Sequence, residues 1–263
     1  PATPALQPLR EVTQEALLAE TLLARRAEAR QSLPLFFTRA ESDSAATAGD
    51  LGTGAAFANF ERAVANLVAA ATRLGTRAQL LAVTLDYVLE DLSGDPLAYR
   101  DGILALMERI TRALGRHGLP APVFLTAFDC GTHEITEGPA LAGQWELSWN
   151  HGEHQLVFTC PSYAFALDDT ARLTEEGRRT KAEIAAEALS LVQEGGRWLC
   201  PTIQLAEREG DDIRLICEAA EPLVLDKADP FGAGPLHGFR LDGVTNGAEL
   251  LSVEIDAKDR KSL

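Results

Sequence analysis

A chain of 263 residues that is 46% hydrophobic can bury a substantial core, and its formal net charge of −15 gives it a surface that repels phosphate backbones. Nucleic acid is therefore not an expected partner. No apolar run approaches the roughly 20 residues needed to cross a bilayer, so no membrane insertion is expected.

Residues 1–32 read as an N-terminal helix, with Leu17, Leu18, Leu22 and Leu23 recurring at helical spacing. Arg25, Arg26 and Glu28 interrupt that stretch, so no signal peptide is legible and synthesis in the cytoplasm is expected. The run Leu33-Pro34-Leu35-Phe36-Phe37 reads as a buried strand, followed by a small-residue loop from Ala40 to Gly54. Residues 55–75 are an amphipathic helix closed by Gly75. Leu80–Tyr87 is a second apolar run, and residues 97–116 are a second long helix with Ile103, Leu106, Met107, Ile110 and Leu114 on its apolar face. Strands are expected at Pro122–Phe128 and Gln155–Cys160, with a helix at Leu141–Trp149 between them and another at Glu175–Val192.

Alternating strands and helices imply a parallel sheet covered on both faces, because parallel strands need helical crossovers. Ligands in such folds bind beyond the carboxyl ends of the strands. The loops of interest are therefore 38–54, 86–96, 128–140 and 161–172. After Gly195-Gly196 the runs become short and alternating: Ile203–Glu207, Asp212–Cys217, Leu223–Leu225, Gly238–Leu241 and Leu250–Ile255. Gly210-Asp211-Asp212 and Asn246-Gly247 punctuate them as turns. The expected organisation is an N-terminal helix (1–32), an α/β domain (33–195) and a small antiparallel β domain (196–263). The four cysteines, Cys130, Cys160, Cys200 and Cys217, have no CxxC spacing and imply no zinc knuckle. His151 and His154 lack two further ligands, so neither a metal nor a cofactor is expected.

The segment Asp169-Thr170-Ala171-Arg172-Leu173-Thr174, followed by Glu175-Glu176-Gly177-Arg178-Arg179 and an alanine-rich helix, resembles the terminal catalytic block of the SGNH (GDSL-like) hydrolases. The likeness is to the branch of sialate O-acetylesterases and related carbohydrate esterases. Upstream, Leu85-Asp86-Tyr87-Val88-Leu89-Glu90-Asp91 and Tyr99-Arg100-Asp101 resemble that branch's QGE-S/A-D segment and the helix after it, without its glycine and glutamine. Gln144 and Tyr163 fall where the family has similar residues. The resemblance spans about residues 33–192 and implies a three-layer α/β/α, flavodoxin-like domain.

The family's block supplies an acid and a histidine base, and here Asp169 keeps the acid while Arg172 stands in the base's place. An arginine is protonated at every accessible pH and cannot return a proton. The nucleophile implied by the resemblance is Ser42, within Glu41-Ser42-Asp43-Ser44. The preceding glycine is missing, and a carboxylate at Glu41 would oppose a developing oxyanion. Turn capping by Asp43 or Ser44 is the favoured reading of this loop. His133, in the loop after the Pro122–Phe128 strand, is the one histidine on the correct edge to replace the base. Arg172 either pairs with Asp168 or Asp169, or holds a carboxylate or hydroxyl-rich ligand. Tyr163 and Trp145, with Trp149, are candidates to stack on sugar rings if exposed.

Two functions are compatible with these residues. The first is a non-catalytic structural or receptor-binding protein of a phage-like particle or gene transfer agent: a spike, fibre or baseplate component of an oligomer that meets surface polysaccharide and other virion proteins. The second is an active carbohydrate O-acetylesterase using Ser42, Asp169 and His133.

Overall fold

The computed structural model describes residues 13–41, 46–86, 95–128, 139–162, 165–166, 168, 173–225, 234–237, 239, 241 and 247–256. The chain divides into two compact units, Pro1–Trp198 and Leu199–Leu263.

In the first unit the helices are α1 (Gln14–Glu28), α2 (Ala48–Leu51), α3 (Ala55–Arg73), α4 (Pro96–Gly115), α5 (Pro139–Trp149) and α6 (Glu175–Gln193). The strands β1 (Ala82–Thr84), β2 (Val123–Phe128) and β3 (Leu156–Pro161) form one parallel sheet in the order β1-β2-β3. Register runs Val83 to Phe124 and Leu125 to Val157, with an irregularity between Thr126 and Phe128. The mixed α/β class expected from strand–helix alternation is the one observed.

Strand alternation sorts the residues of β2 to opposite faces. Val123 and Leu125 pack with Val157 of β3 against Leu17, Leu18 and Leu22 of α1 and Ala182, Ala185, Ala186 and Leu189 of α6. Phe124, Thr126 and Phe128 point the other way, where Phe128 stacks on Phe158 with ring centroids 4.4 Å apart. All six residues of β2 are buried, which explains why its sequence is a continuous apolar run rather than an alternating one.

Local chemistry fixes the helix starts. Thr13 caps α1, and Asp95 caps α4 by accepting the Ala98 N–H at 3.2 Å, with Pro96 just inside the helix. Two glycines allow close approach. A Cβ on Gly102 of α4 would lie 2.8 Å from the Gly49 nitrogen of α2, and one on Gly143 of α5 would lie 2.7 Å from the Pro96 carbonyl oxygen.

Helix α2 is only four residues long and rests on a capping box. The Thr47 hydroxyl and backbone N–H both donate to Asp50 Oδ2, at 2.8 and 3.1 Å, and hold that carboxyl below its ordinary value of 3.8. A carboxyl held low when folded contributes stability above its unfolded value and loses it as pH falls through the lowered one. We expect Thr47→Ala to return the Asp50 titration toward the ordinary range, followed by the side-chain carboxyl shift in an NMR pH titration.

The expected first strand is not formed. Leu33 to Phe37 has no regular secondary structure, and Leu33, Leu35 and Phe37 are exposed, Leu35 to 76%. Phe36 alone of the run packs against the core shared by α1, α6 and the sheet. Pro34 has no N–H to give a ladder, which weakens any strand built through it. The chain also leaves α1 through Arg30 at φ 55°.

Among the described residues of the second unit, β4 (Thr202–Glu209) and β5 (Asp212–Glu218) form a hairpin, joined by the two-residue turn Gly210-Asp211 with Gly210 at φ 69°. Arg214 ties the hairpin to Asp256 at 3.2 Å. The runs Leu223–Leu225 and Leu250–Ile255, expected as strands, carry no ladder; Gly238 and Arg240 lie outside the described residues.

Candidate functional site

The carboxyl ends of the three parallel strands converge on one edge, and buried hydroxyls cross-link them. Thr126 donates to the Leu85 carbonyl at 2.7 Å, Thr159 to the Thr126 carbonyl at 2.9 Å, and Ser162 to the Phe128 carbonyl at 3.3 Å. These hydroxyls satisfy strand-end carbonyls and make the edge rigid.

At the end of β1 the side chains become charged. Asp86 accepts a hydrogen bond from Lys181 Nζ at 3.0 Å, and the Thr84 hydroxyl donates to Glu15 of α1 at 3.0 Å. Lys181 lies on the second turn of α6 with only 9% of its side chain exposed, whereas Asp86 is 47% exposed.

The start of α6 is equally well fixed. The Thr174 side chain caps the helix by accepting the Gly177 N–H at 3.1 Å, while its own N–H donates to the Ala166 carbonyl at 3.0 Å. Arg178 adds a bond to the Leu173 carbonyl at 3.0 Å. A Cβ on Gly177 would lie 2.9 Å from the Ala166 oxygen, so glycine lets the helix start against that strand-exit segment. The chain on either side of the Asp169–Arg172 stretch is thus clamped together, beyond β3 and at the edge where α/β folds bind ligands.

Of the residues singled out by sequence, Ser42, His133, Tyr163, Asp169 and Arg172 lie outside the described residues. Glu41 is described, and it is ion-paired with Arg39, which offsets the charge it would bring to Ser42. Trp145 sits on α5, 38% exposed, in edge-to-face contact with the 52%-exposed Trp149 at 5.7 Å. Both belong to the second half of the crossover helix, whose C-terminal end leads back to the start of β3. His151 accompanies that same turn, its Nδ1 2.9 Å from the His154 carbonyl oxygen. That is the edge opposite the strand ends.

The pair that sequence reading did not single out is Asp86–Lys181. Its signal was a lysine inside the buried stripe of α6, one helical turn before Ala185 and two before Ala188 and Leu189. Among the described residues, no group of three or more His, Cys, Asp or Glu side chains is placed to hold a metal ion, and no helix is long and apolar enough to cross a membrane. A groove of about 420 Å³ between α1 and α6, lined by Thr21, Arg25, Glu28, Glu183 and Glu187 among others, opens on the solvent-facing sides of those helices.

No protein-family model and no curated protein matches the chain. Two solved structures are similar in fold. A carbohydrate acetylesterase from Sinorhizobium meliloti superposes with a TM-score of 0.42 at 14% identity, covering 71% of this chain and 90% of its own. An aryl esterase from M. smegmatis, in an inhibitor-bound form, gives 0.39 at 15% identity, covering 70% and 89%.

Proposed function

We propose that the chain is a non-catalytic glycan-binding protein on an SGNH-like frame. In this reading it is a spike, fibre or baseplate component of a phage-like particle or gene transfer agent. It assembles as a homo-oligomer with other virion proteins and meets host surface polysaccharide. One observation supports the non-catalytic part: in the sequence Arg172 stands where the resemblance puts the histidine base, in a block whose described neighbours Ala166 and Thr174 are hydrogen-bonded to each other beyond β3. A permanently protonated group cannot accept the nucleophile's proton, but its planar fork suits carboxylates and hydroxyl-rich ligands. The net charge of −15 favours a neutral or cation-screened glycan over a polyanion.

The test uses 4-nitrophenyl acetate and acetylated xylan as esters, and acetylated xylo-oligosaccharides as the binding probe. We expect no turnover above the Ser42→Ala protein, measurable binding by calorimetry, and about a tenfold loss of affinity in Arg172→Ala, the equivalent of about 1.4 kcal/mol. Turnover that disappears in Ser42→Ala would overturn the non-catalytic reading in favour of a serine O-acetylesterase working with Asp169 and His133. Detection of the chain in purified particles tests the virion placement.

A further inference from the structure

We propose that Leu33–Phe37 is a strap that docks on the open edge of β1 as a fourth parallel strand, giving the order strap-β1-β2-β3, and that the structure shows it undocked. The inference is independent of the glycan-binding reading. Strand β1 is three residues long and only half-buried, whereas every residue of β2 is buried. Among the described residues it pairs with β2 alone. The Leu81 carbonyl accepts from the Val123 N–H at 3.3 Å, and the Leu85 N–H donates to the Leu125 carbonyl at 2.8 Å. Odd-numbered residues here turn their peptide groups to β2, so those of Ala82 and Thr84 face the open side.

In this sheet the face a side chain takes fixes the direction of its peptide group. Val123 and Leu125 pack on the core shared with α1 and α6, and both bond toward β1. Phe124 takes the other face, and its N–H donates to the Gln155 carbonyl on the β3 side at 2.8 Å. Ala82 obeys the same rule, since it packs on the α1–α6 core and its peptide groups point away from β2. Parallel strands run in one direction with one chirality, so the rule extends to any strand added beside them.

Phe36 already packs on that same core, as Ala82 does. A parallel strand that keeps Phe36 there turns the peptide groups of Pro34 and Phe36 outward and those of Leu35 and Phe37 toward β1. Pro34 has no N–H to give, and it costs least at an outward position of an edge strand. Leu33, Leu35 and Phe37, the three exposed side chains of the run, then share the opposite face and leave water.

The crossover is also in place. Helix α3 connects the strap to β1, as α4 connects β1 to β2 and α5 connects β2 to β3. Crossovers of one hand stepping in one direction lie on one face, so α3 shares the face of α4 and α5 and covers Leu35 and Phe37. That helix has apolar side chains to meet them: Phe57, Phe60, Leu67 and Val68 are half-buried, and only Ala56, Val64 and Ala71 are buried. Docking parallel to β1 delivers Thr38–Glu41, with the Arg39–Glu41 ion pair, to the edge where Leu85 and Asp86 leave the sheet. The strap thereby completes the ligand edge.

The test uses the full chain and two cysteine pairs under mild oxidation, with the linked peptides identified by mass spectrometry. Phe37→Cys with Val83→Cys puts both thiols on one face of the docked pair. Phe36→Cys with Val83→Cys puts them on opposite faces. The first pair is expected to link at least about tenfold faster than the second, and equal or reversed rates would overturn the proposal. Amide hydrogen exchange on the wild type covers the case in which the variants do not fold. Leu35 and Phe37 are expected to exchange about tenfold or more slowly relative to Phe36, the alternation of an edge strand bonded on one side. Equal exchange at the three amides, whether fast or slow, would overturn docking in this register.

Discussion

Phe124→Ala is expected to destabilise the first unit by about 3–5 kcal/mol, enough to unfold a marginal domain. Phe124 is fully enclosed, on the central strand of the sheet, between Val83 of β1 and Leu156 of β3 in register. Its ring also meets His154 edge-on, with centroids 5.8 Å apart and planes at 83°. Removing the ring deletes a large buried apolar area and leaves a cavity lined by a sheet, which collapses poorly because its backbone is pinned by ladders on both sides. The Phe124 N–H itself bonds the Gln155 carbonyl at 2.8 Å and would hold the strand in place around the void. Urea unfolding checks this. A loss below about 1 kcal/mol would mean that the α5 side of the sheet closes over the gap.

The same residue shows why much of the fold was legible. Helices α3, α4 and α6 announce themselves by 3.6-residue periodicity, and the end of α3 by Gly75. Strands β2 and β3 announce themselves as short, unbroken apolar runs, because both faces of a parallel sheet are covered. The same rule misleads at Leu33–Phe37, which has a buried strand's composition but a proline where a ladder donor is needed. In the second unit, alternation locates the β4–β5 hairpin. It fails at Leu223–Leu225 and Leu250–Ile255, where period-two patterning meets no partner strand among the described residues. The pairing of Asp86 with Lys181 was not legible for another reason: 95 residues separate the two, and no local periodicity encodes a long-range ion pair.

That pair leads to the second large effect, an asymmetry. Asp86→Ala is expected to destabilise by about 3 kcal/mol, and Lys181→Met by less than about 1 kcal/mol or not at all. Removing the carboxylate takes from a nearly buried ammonium an anion 3.0 Å away that helps to offset its desolvation. Removing the ammonium leaves a carboxylate that already has nearly half its side chain in solvent and can exchange Nζ for water. The methionine chain fills about the volume of the lysine stem against the alanine face of α6, so no cavity opens. Urea midpoints for the two variants decide the matter. Equal losses would mean that Lys181 stabilises the fold through its own packing and hydrogen bonds. Unequal losses in the stated direction would mean that Asp86 carries a large part of the compensation for the buried charge at 181.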